Sequence, residues 1–233
     1  MIPITISEEI STVCPDLHVL ALSCDVINTE SDPQLWDEMT ALEHSIRENY
    51  KLEDINKLIP IKATRQAYKK LGKDPNRYRP SAEALYRRIL RNLPLYKIDT
   101  LVDIVNFISV KSAYSIGAFD MDKIKGSKLV LGVGQEGELY HGIGRGELNI
   151  TGLPVYRDEL GGIGTPTSDE ERTKIDLRTH RLLMIVNAYS GLGGLEETNI
   201  YVSELLKRYV SATNIKHSLI KASFLNKITI QKC

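Results

Sequence analysis

The spacing of apolar and polar positions changes several times along the chain, and each change marks an element. Met1 to Ile6 reads as a short strand, and Leu17 to Val26 alternates like another. Asp32-Pro33 opens a helix whose Leu35, Met39, Leu42 and Ile46 share one face, and helical spacing continues to about Gly72. Pro80-Ser81 is a second helix entrance, because proline restricts the backbone and the Ser81 hydroxyl can accept from an amide of the first turn. Beyond it Ala82, Leu85, Ile89 and Leu93 recur at helical spacing, with Arg87, Arg88 and Arg91 on the other side, until Asn92 and Pro94 stop the helix.

A further helix opens with a capping-box pattern, Thr100-x-x-Asp103, and Leu101, Ile104, Val105 and Ile108 form its apolar stripe. Thr100, Asp103 and Asn106 fall three residues apart and so keep to one side of this helix. After Tyr114 the run Ser115 to Asp120 leaves the helix, where Gly117 permits a turn that a side chain would resist. From Asp122 onward the pattern becomes short β segments among many glycines: Leu129 to Val133, Glu138 to His141 and Glu147 to Thr151. Leu182 to Val186 is the apolar run of a central strand, and Val202, Leu205, Leu206 and Tyr209 place a last amphipathic helix over the sheet. No repeat, low-complexity tract or linker intervenes, so the pattern describes one α+β unit rather than a regular βα alternation.

Composition agrees with that unit: 233 residues with 42% hydrophobic content can bury a full core. No apolar stretch reaches the length of a membrane span, and the segment MIPITISEEIST lacks the basic and apolar regions of a signal peptide, so a soluble, cytoplasmic protein with no membrane partner is expected. Cys14, Cys24 and Cys233 are an odd, widely spaced set, which argues against a disulfide framework or a zinc cage and leaves packing as the expected role, with Cys233 exposed.

Charge balances at 30 basic and 30 acidic residues, yet it is unevenly placed. Between Lys69 and Lys97 stand nine basic residues, Lys69, Lys70, Lys73, Arg77, Arg79, Arg87, Arg88, Arg91 and Lys97, against two acidic ones, Asp74 and Glu83. Such a surface can track a phosphate backbone by releasing its counterions, or it can be a pair of solvated helix faces; the residues alone leave both open.

Several chemistries find no support. Gly142-Ile143-Gly144-Arg145-Gly146 is followed by no Lys-Ser/Thr pair and reads as a hairpin turn rather than a phosphate-cradling loop. His18, His44, His141, His180 and His217 lack ligand spacing, so neither a metal nor another cofactor is expected. No Gly-x-Ser-x-Gly elbow is present and no cysteine stands in a matching histidine pattern, which leaves a Ser or Cys nucleophile unsupported. Gly161 to Asp169 is a loop by composition.

Three ordered words bring a family into view: Arg79-Pro80-Ser81-Ala82-Glu83-Ala84-Leu85, Asp99-Thr100-Leu101-Val102-Asp103-Ile104-Val105-Asn106, and Gly117-Ala118-Phe119-Asp120-Met121-Asp122-Lys123-Ile124. Gly144 to Leu148, Ser168 to Ile175 and Leu182 to Val186 follow in the same order. Together they resemble the B3/B4 domain of the phenylalanyl-tRNA synthetase β subunit in its free-standing form. The resemblance implies an α+β fold of layered β/β/α type, with helices packed on a mainly antiparallel sheet. It implies one domain over residues 1–233, of which 1–76 is an N-terminal αβ elaboration and 77–189 carries the resemblance.

For chemistry, the resemblance implies a proofreading chamber that accepts the acylated 3′ end of tRNA and hydrolyses the ester of a wrong amino acid. Asn106 is then the residue expected to hold the substrate or a water, with Thr100, Asp103, Gly117 and Ile185 around the pocket, although Asp103 can equally be a helix cap. Arg79, Arg87, Arg88, Arg91, Arg172 and Arg178 are the expected RNA contacts, and the partners are tRNA and its amino-acid moiety, not DNA. Two positions depart from the bacterial synthetase pattern: Gly117 stands where that family commonly has a histidine, and aliphatic residues near Ile185 stand where it has a glutamate. A carboxylate that grips a phenolic hydroxyl discriminates strongly, so its replacement opens the pocket to another amino acid or acyl ester. A module that binds RNA or an amino acid without turnover is the alternative. No class II synthetase motif is present, so aminoacylation itself is not expected.

Overall fold

The computed structural model describes residues 1–222. In chain order it comprises β1 (Ile4–Ile6), α1 (Glu8–Val13), β2 (His18–Asp25), α2 (Pro33–Asn49), α3 (Ile59–Lys70), α4 (Ser81–Leu90), α5 (Thr100–Ser112), β3 (Ser115–Asp120), β4 (Leu129–Val133), β5 (His141–Gly142), β6 (Gly146–Glu147), β7 (Pro154–Arg157), β8 (Gly162–Gly164), β9 (Arg181–Ala188), α6 (Leu195–Val210) and β10 (Thr213–Lys221).

One sheet runs β10-β2-β9-β3 with every neighbour antiparallel, and a second runs β1-β4-β7-β8 with only β1 and β4 parallel. Strands β2 and β9 are buried on both faces, which is why each reads as an unbroken apolar run. Leu20, Leu22, Leu182, Met184 and Val186 point to one side, into a core shared with α2, α4, α5 and α6. Val19, Ala21, Leu183 and Ile185 point to the other, into a core shared with β1, β4 and β7. The period of two along each strand therefore builds the β/β/α layering.

Local chemistry accounts for most helix ends. Asp32 caps α2 by accepting from the amides of Gln34 at 2.8 Å and Leu35 at 3.1 Å, with Pro33 at the first position. The helical stretch expected to run to Gly72 is broken after Asn49 and resumes at Ile59, with Pro60 in its first turn. Ser81 is the first residue of α4 rather than its cap, and its amide donates to Pro166 O at 2.8 Å. Leu93 lies beyond α4 and is 44% exposed. Two expected β segments shrink to the β5–β6 hairpin around the Gly142–Gly146 turn, extended by one bond from the Leu148 amide to Tyr140 O at 2.9 Å, while the Ile143 amide turns to Asp169 O at 2.9 Å.

Cys14 and Cys24 are free and buried, and burial pushes their thiols up to about 11 and about 12, so both act as packing groups. Cys233 lies outside the described residues. No helix among the described residues is long and apolar enough to cross a membrane.

Candidate functional site

The most unusual chemistry lies between the two sheets, at the free edge of β3. After β8, Thr165 makes a tight turn in which its hydroxyl oxygen accepts from the amides of Thr167 at 3.2 Å and Ser168 at 3.1 Å. The turn returns the chain so that Asp169 bridges Gly164 and its Oδ2 accepts from the amide of Ala118 at 3.1 Å. The second oxygen, Oδ1, has no partner among the described residues. It lies 3.1 Å from where a Cβ on Gly117 would sit and 2.8 Å from where one on Gly164 would sit. Gly117 therefore lies within a strand, not a turn, and its lack of a side chain admits the Asp169 carboxylate and the Phe119 ring.

Asp169 is half-buried, with its carboxyl set between Gly117, Gly164 and the Phe119 ring. Burial pushes its pKa up to about 8, against the opposing pull of the Ala118 amide. No cation pairs with it among the described residues. Hydroxyls crowd the same region: Tyr156 donates to Asn187 Oδ1 at 2.7 Å, Tyr140 to Ser168 O at 2.7 Å, and Tyr68 shares a 2.9 Å bond with Thr167. Burial first, and the Asp169 charge second, push the Tyr140 and Tyr156 phenols upward. The buried Tyr189 hydroxyl has no partner among the described residues. At neutral pH these surroundings thus favour a protonated carboxyl, or a carboxylate held by a cation.

Replacing Gly164 with alanine should be costly, since the new Cβ would fall 2.5 Å from Phe119 Cζ and the ring is fully packed. A loss of about 1–3 kcal/mol is expected from such overpacking. Urea denaturation checks it, with Gly193→Ala, which meets nothing within 4 Å, as the neutral control.

Helix α5 lies on the other side of the first sheet. Its cap is Asp99, which accepts from the Val102 amide at 2.9 Å. Thr100 donates to Glu30 O at 2.7 Å and lies 2.9 Å from the Thr29 hydroxyl. Asp103, fully buried, accepts the Trp36 indole N–H at 2.6 Å. Both side chains thus tie α5 to α2 and the loop before it. Asn106 is half-buried, and its carboxamide makes no hydrogen bond among the described residues. Gly117 and Ile185 are directly paired across β3 and β9 and point away from α5, with Ile185 fully buried. The structure therefore gathers Gly117 and Ile185 with Asp169, and Thr100 and Asp103 with Thr29 and Trp36, as two separate groups.

The arginines also divide. Glu83, with no exposed surface, lies 2.7 Å from Arg65, 2.8 Å from Arg87 and 3.9 Å from Arg79. Arg88 stacks 4.1 Å over Tyr96, and Arg91 is exposed at the end of α4. Arg172 makes a two-pronged pair with Asp158 at 2.8 and 2.9 Å, while Arg178 is 89% exposed beside Asp176. Lys73 is committed as well, donating to Asn149 O at 2.8 Å.

A family model described as the B3/4 domain matches residues 63–217. The chain belongs to the B3/4 domain family. Among solved structures, it is similar to an N-terminal fragment of the phenylalanyl-tRNA synthetase β subunit from Pyrococcus horikoshii, with 14% identity and a TM-score of 0.45. That alignment covers 91% of this chain and 50% of the fragment, so the chain spans about half the length of that neighbour. No curated protein matches significantly.

Within this B3/4 domain, sequence reasoning gives Asp169 no role beyond the end of the Gly161-to-Asp169 loop, and takes Arg172 and Arg178 as RNA contacts. Those two arginines in fact serve Asp158 and Asp176. The available signal was the Thr165-to-Asp169 turn directly after Gly164, which aims a carboxylate at a neighbouring strand. Arg65 was also missed, because its role depends on Glu83 eighteen residues away.

Proposed function

We propose that this B3/4 domain receives the aminoacylated 3′ end of a tRNA and hydrolyses its ester. The observation that carries this reading is the Asp169 carboxyl, whose Oδ2 is held by the Ala118 amide while Oδ1 has no partner and no cation pairs with it among the described residues, so that burial pushes it up to about 8. An aminoacyl ester brings its own cation, the α-ammonium, and that charge would draw the carboxyl back toward its ionised form. The ester is already activated, so a positioned water and polar groups around the terminal adenosine suffice: water adds to the carbonyl carbon, and the ribose oxygen leaves with a proton. Gly117 and Ile185, on the same side of the sheet as Asp169, are assigned to border the amino-acid moiety, while Thr100 and Asp103 secure α5 and Asn106, on that helix across the sheet, takes no part at the ester. Arg79, Arg88 and Arg91 would follow the phosphate backbone, with Arg178 as a peripheral contact, while Arg87 stays with Glu83 and Arg172 holds the Asp158 loop.

Incubation with a panel of mischarged tRNAs tests the assignment. Ester loss should be accelerated for at least one of them, and Asp169→Ala should slow it tenfold or more. Uniform stability of every ester at micromolar protein, with no dependence on Asp169, would remove the hydrolase. A second reading, binding without turnover, is favoured by the Phe119 ring, which fills the space over Gly117 and Gly164. Saturable RNA binding with intact esters would select it.

A further inference from the structure

Helix α3 carries a cationic feature that the RNA-end reading does not use. Lys62, Arg65, Gln66 and Lys69 recur at helical spacing and form one stripe, while Ile61, Thr64, Ala67 and Tyr68 bury the opposite side. With Asn56 from the turn before α3, these residues line a hollow of about 250 Å³ that has no acidic residue in its wall. Arg65 is locked there, donating to Glu83 at 2.7 Å, Asn76 Oδ1 at 2.7 Å and Pro75 O at 3.1 Å. Lys62 and Lys69 are exposed and make no ion pair or hydrogen bond among the described residues. Arg87 reaches the rim, donating to Asn56 Oδ1 at 3.4 Å.

Nearby carboxylates are already committed. Glu83 is shared by three arginines, and Asp54 pairs with Lys57 at 2.8 Å. The hollow thus presents a fixed guanidinium, two exposed ammonium groups and two carboxamides, all of which can donate to oxygen. Lys62 and Lys69 stand two helical turns apart, about 10 Å, which is wider than a single phosphate requires. The volume is small for a drug-sized ligand, whose pockets begin near roughly 300 Å³.

We propose that this hollow is a phosphoryl-binding site that takes two phosphoryl groups together. They are either successive phosphates of an RNA backbone or a free pyrophosphate-like anion. The RNA source rests on the tRNA reading above, whereas neither source requires ester turnover, so loss of hydrolysis and loss of phosphoryl binding are separately visible.

The test compares the wild type with Lys62→Gln/Lys69→Gln, which leaves the Arg65–Glu83 network intact, and with Lys125→Gln/Lys128→Gln as a charge control. An uncharged acceptor-stem hairpin is titrated across a salt series, and inorganic pyrophosphate by calorimetry, with thermal melting to check the fold. If RNA supplies the phosphates, the Lys62/Lys69 variant should lose tenfold or more in hairpin affinity at low salt. Its slope of log affinity against log salt should also flatten by about 1.8, at 0.9 per lost phosphate contact. If the free anion is the ligand, pyrophosphate binding should vanish in that variant while the hairpin slope stays unchanged. Equal behaviour of both double variants toward both probes overturns the site.

Discussion

Glu83→Ala should destabilise the B3/4 domain by about 3–5 kcal/mol, the range expected when one member of a buried ionic network is removed. Glu83 has no exposed surface, and its two oxygens bind Arg65 at 2.7 Å and Arg87 at 2.8 Å, with Arg79 at 3.9 Å. Arg65 and Arg87 are themselves largely buried, so deletion of the carboxylate strands two guanidinium groups away from water. A surface pair contributes at most about 1 kcal/mol, so the size of the loss separates a buried hub from a solvated helix pair. Guanidinium or urea denaturation at constant m value measures it. A loss within about 0.5 kcal/mol would mean that Glu83 is not the centre of this network.

The second large effect belongs to Asp169 and pH. Its folded pKa is raised from 3.8 to about 8 by burial, so between those values the native state binds a proton that the unfolded chain has released. The stabilising contribution of this group is therefore whole at acid pH and is lost as pH climbs toward 8. Asp169→Asn, which mimics the protonated form, should abolish that dependence. The stability of the variant relative to wild type should rise from about pH 4 to pH 8 by up to about 1.4 kcal/mol per unit and then level off. Denaturation series of the two proteins at matched pH values give the difference directly. A flat difference across that window would place Asp169 in ordinary contact with water.

Much of the layering was legible because it depends on short-range pattern. Strand β9 declared itself by an apolar run long enough for two buried faces, and α2 by the Asp32-Pro33 cap. Strands β7 and β8 and the edge strand β10 escaped notice. Strand β8 is Gly-Ile-Gly, and β10 is largely exposed, so neither carries a strong alternation. The site was harder to read for the same reason. Thr100-x-x-Asp103 imitates a capping box, but Asp99 takes the cap and Asp103 is claimed by Trp36, 67 positions away. Gly117 looked like a turn residue, whereas the need for glycine comes from Asp169, brought to the strand by a distant loop. Charge density on α4 could be read from composition, but the burial of Glu83 among its arginines could not, because an i, i+4 spacing to Arg79 and Arg87 is also that of any exposed helix pair.

The most direct measurement is the Asp169 carboxyl titration itself, followed by carbon NMR of labelled aspartate with and without a non-hydrolysable aminoacyl-adenosine in which an amide replaces the ester. The free protein should titrate near 8, and the ligand, by placing its ammonium beside the carboxyl, should pull that value down by a unit or more while Asp169→Asn loses ligand affinity. A carboxyl that titrates near 4 in the free protein, or one that ignores the aminoacyl ligand, would contradict the assignment of Asp169 to a charged RNA terminus.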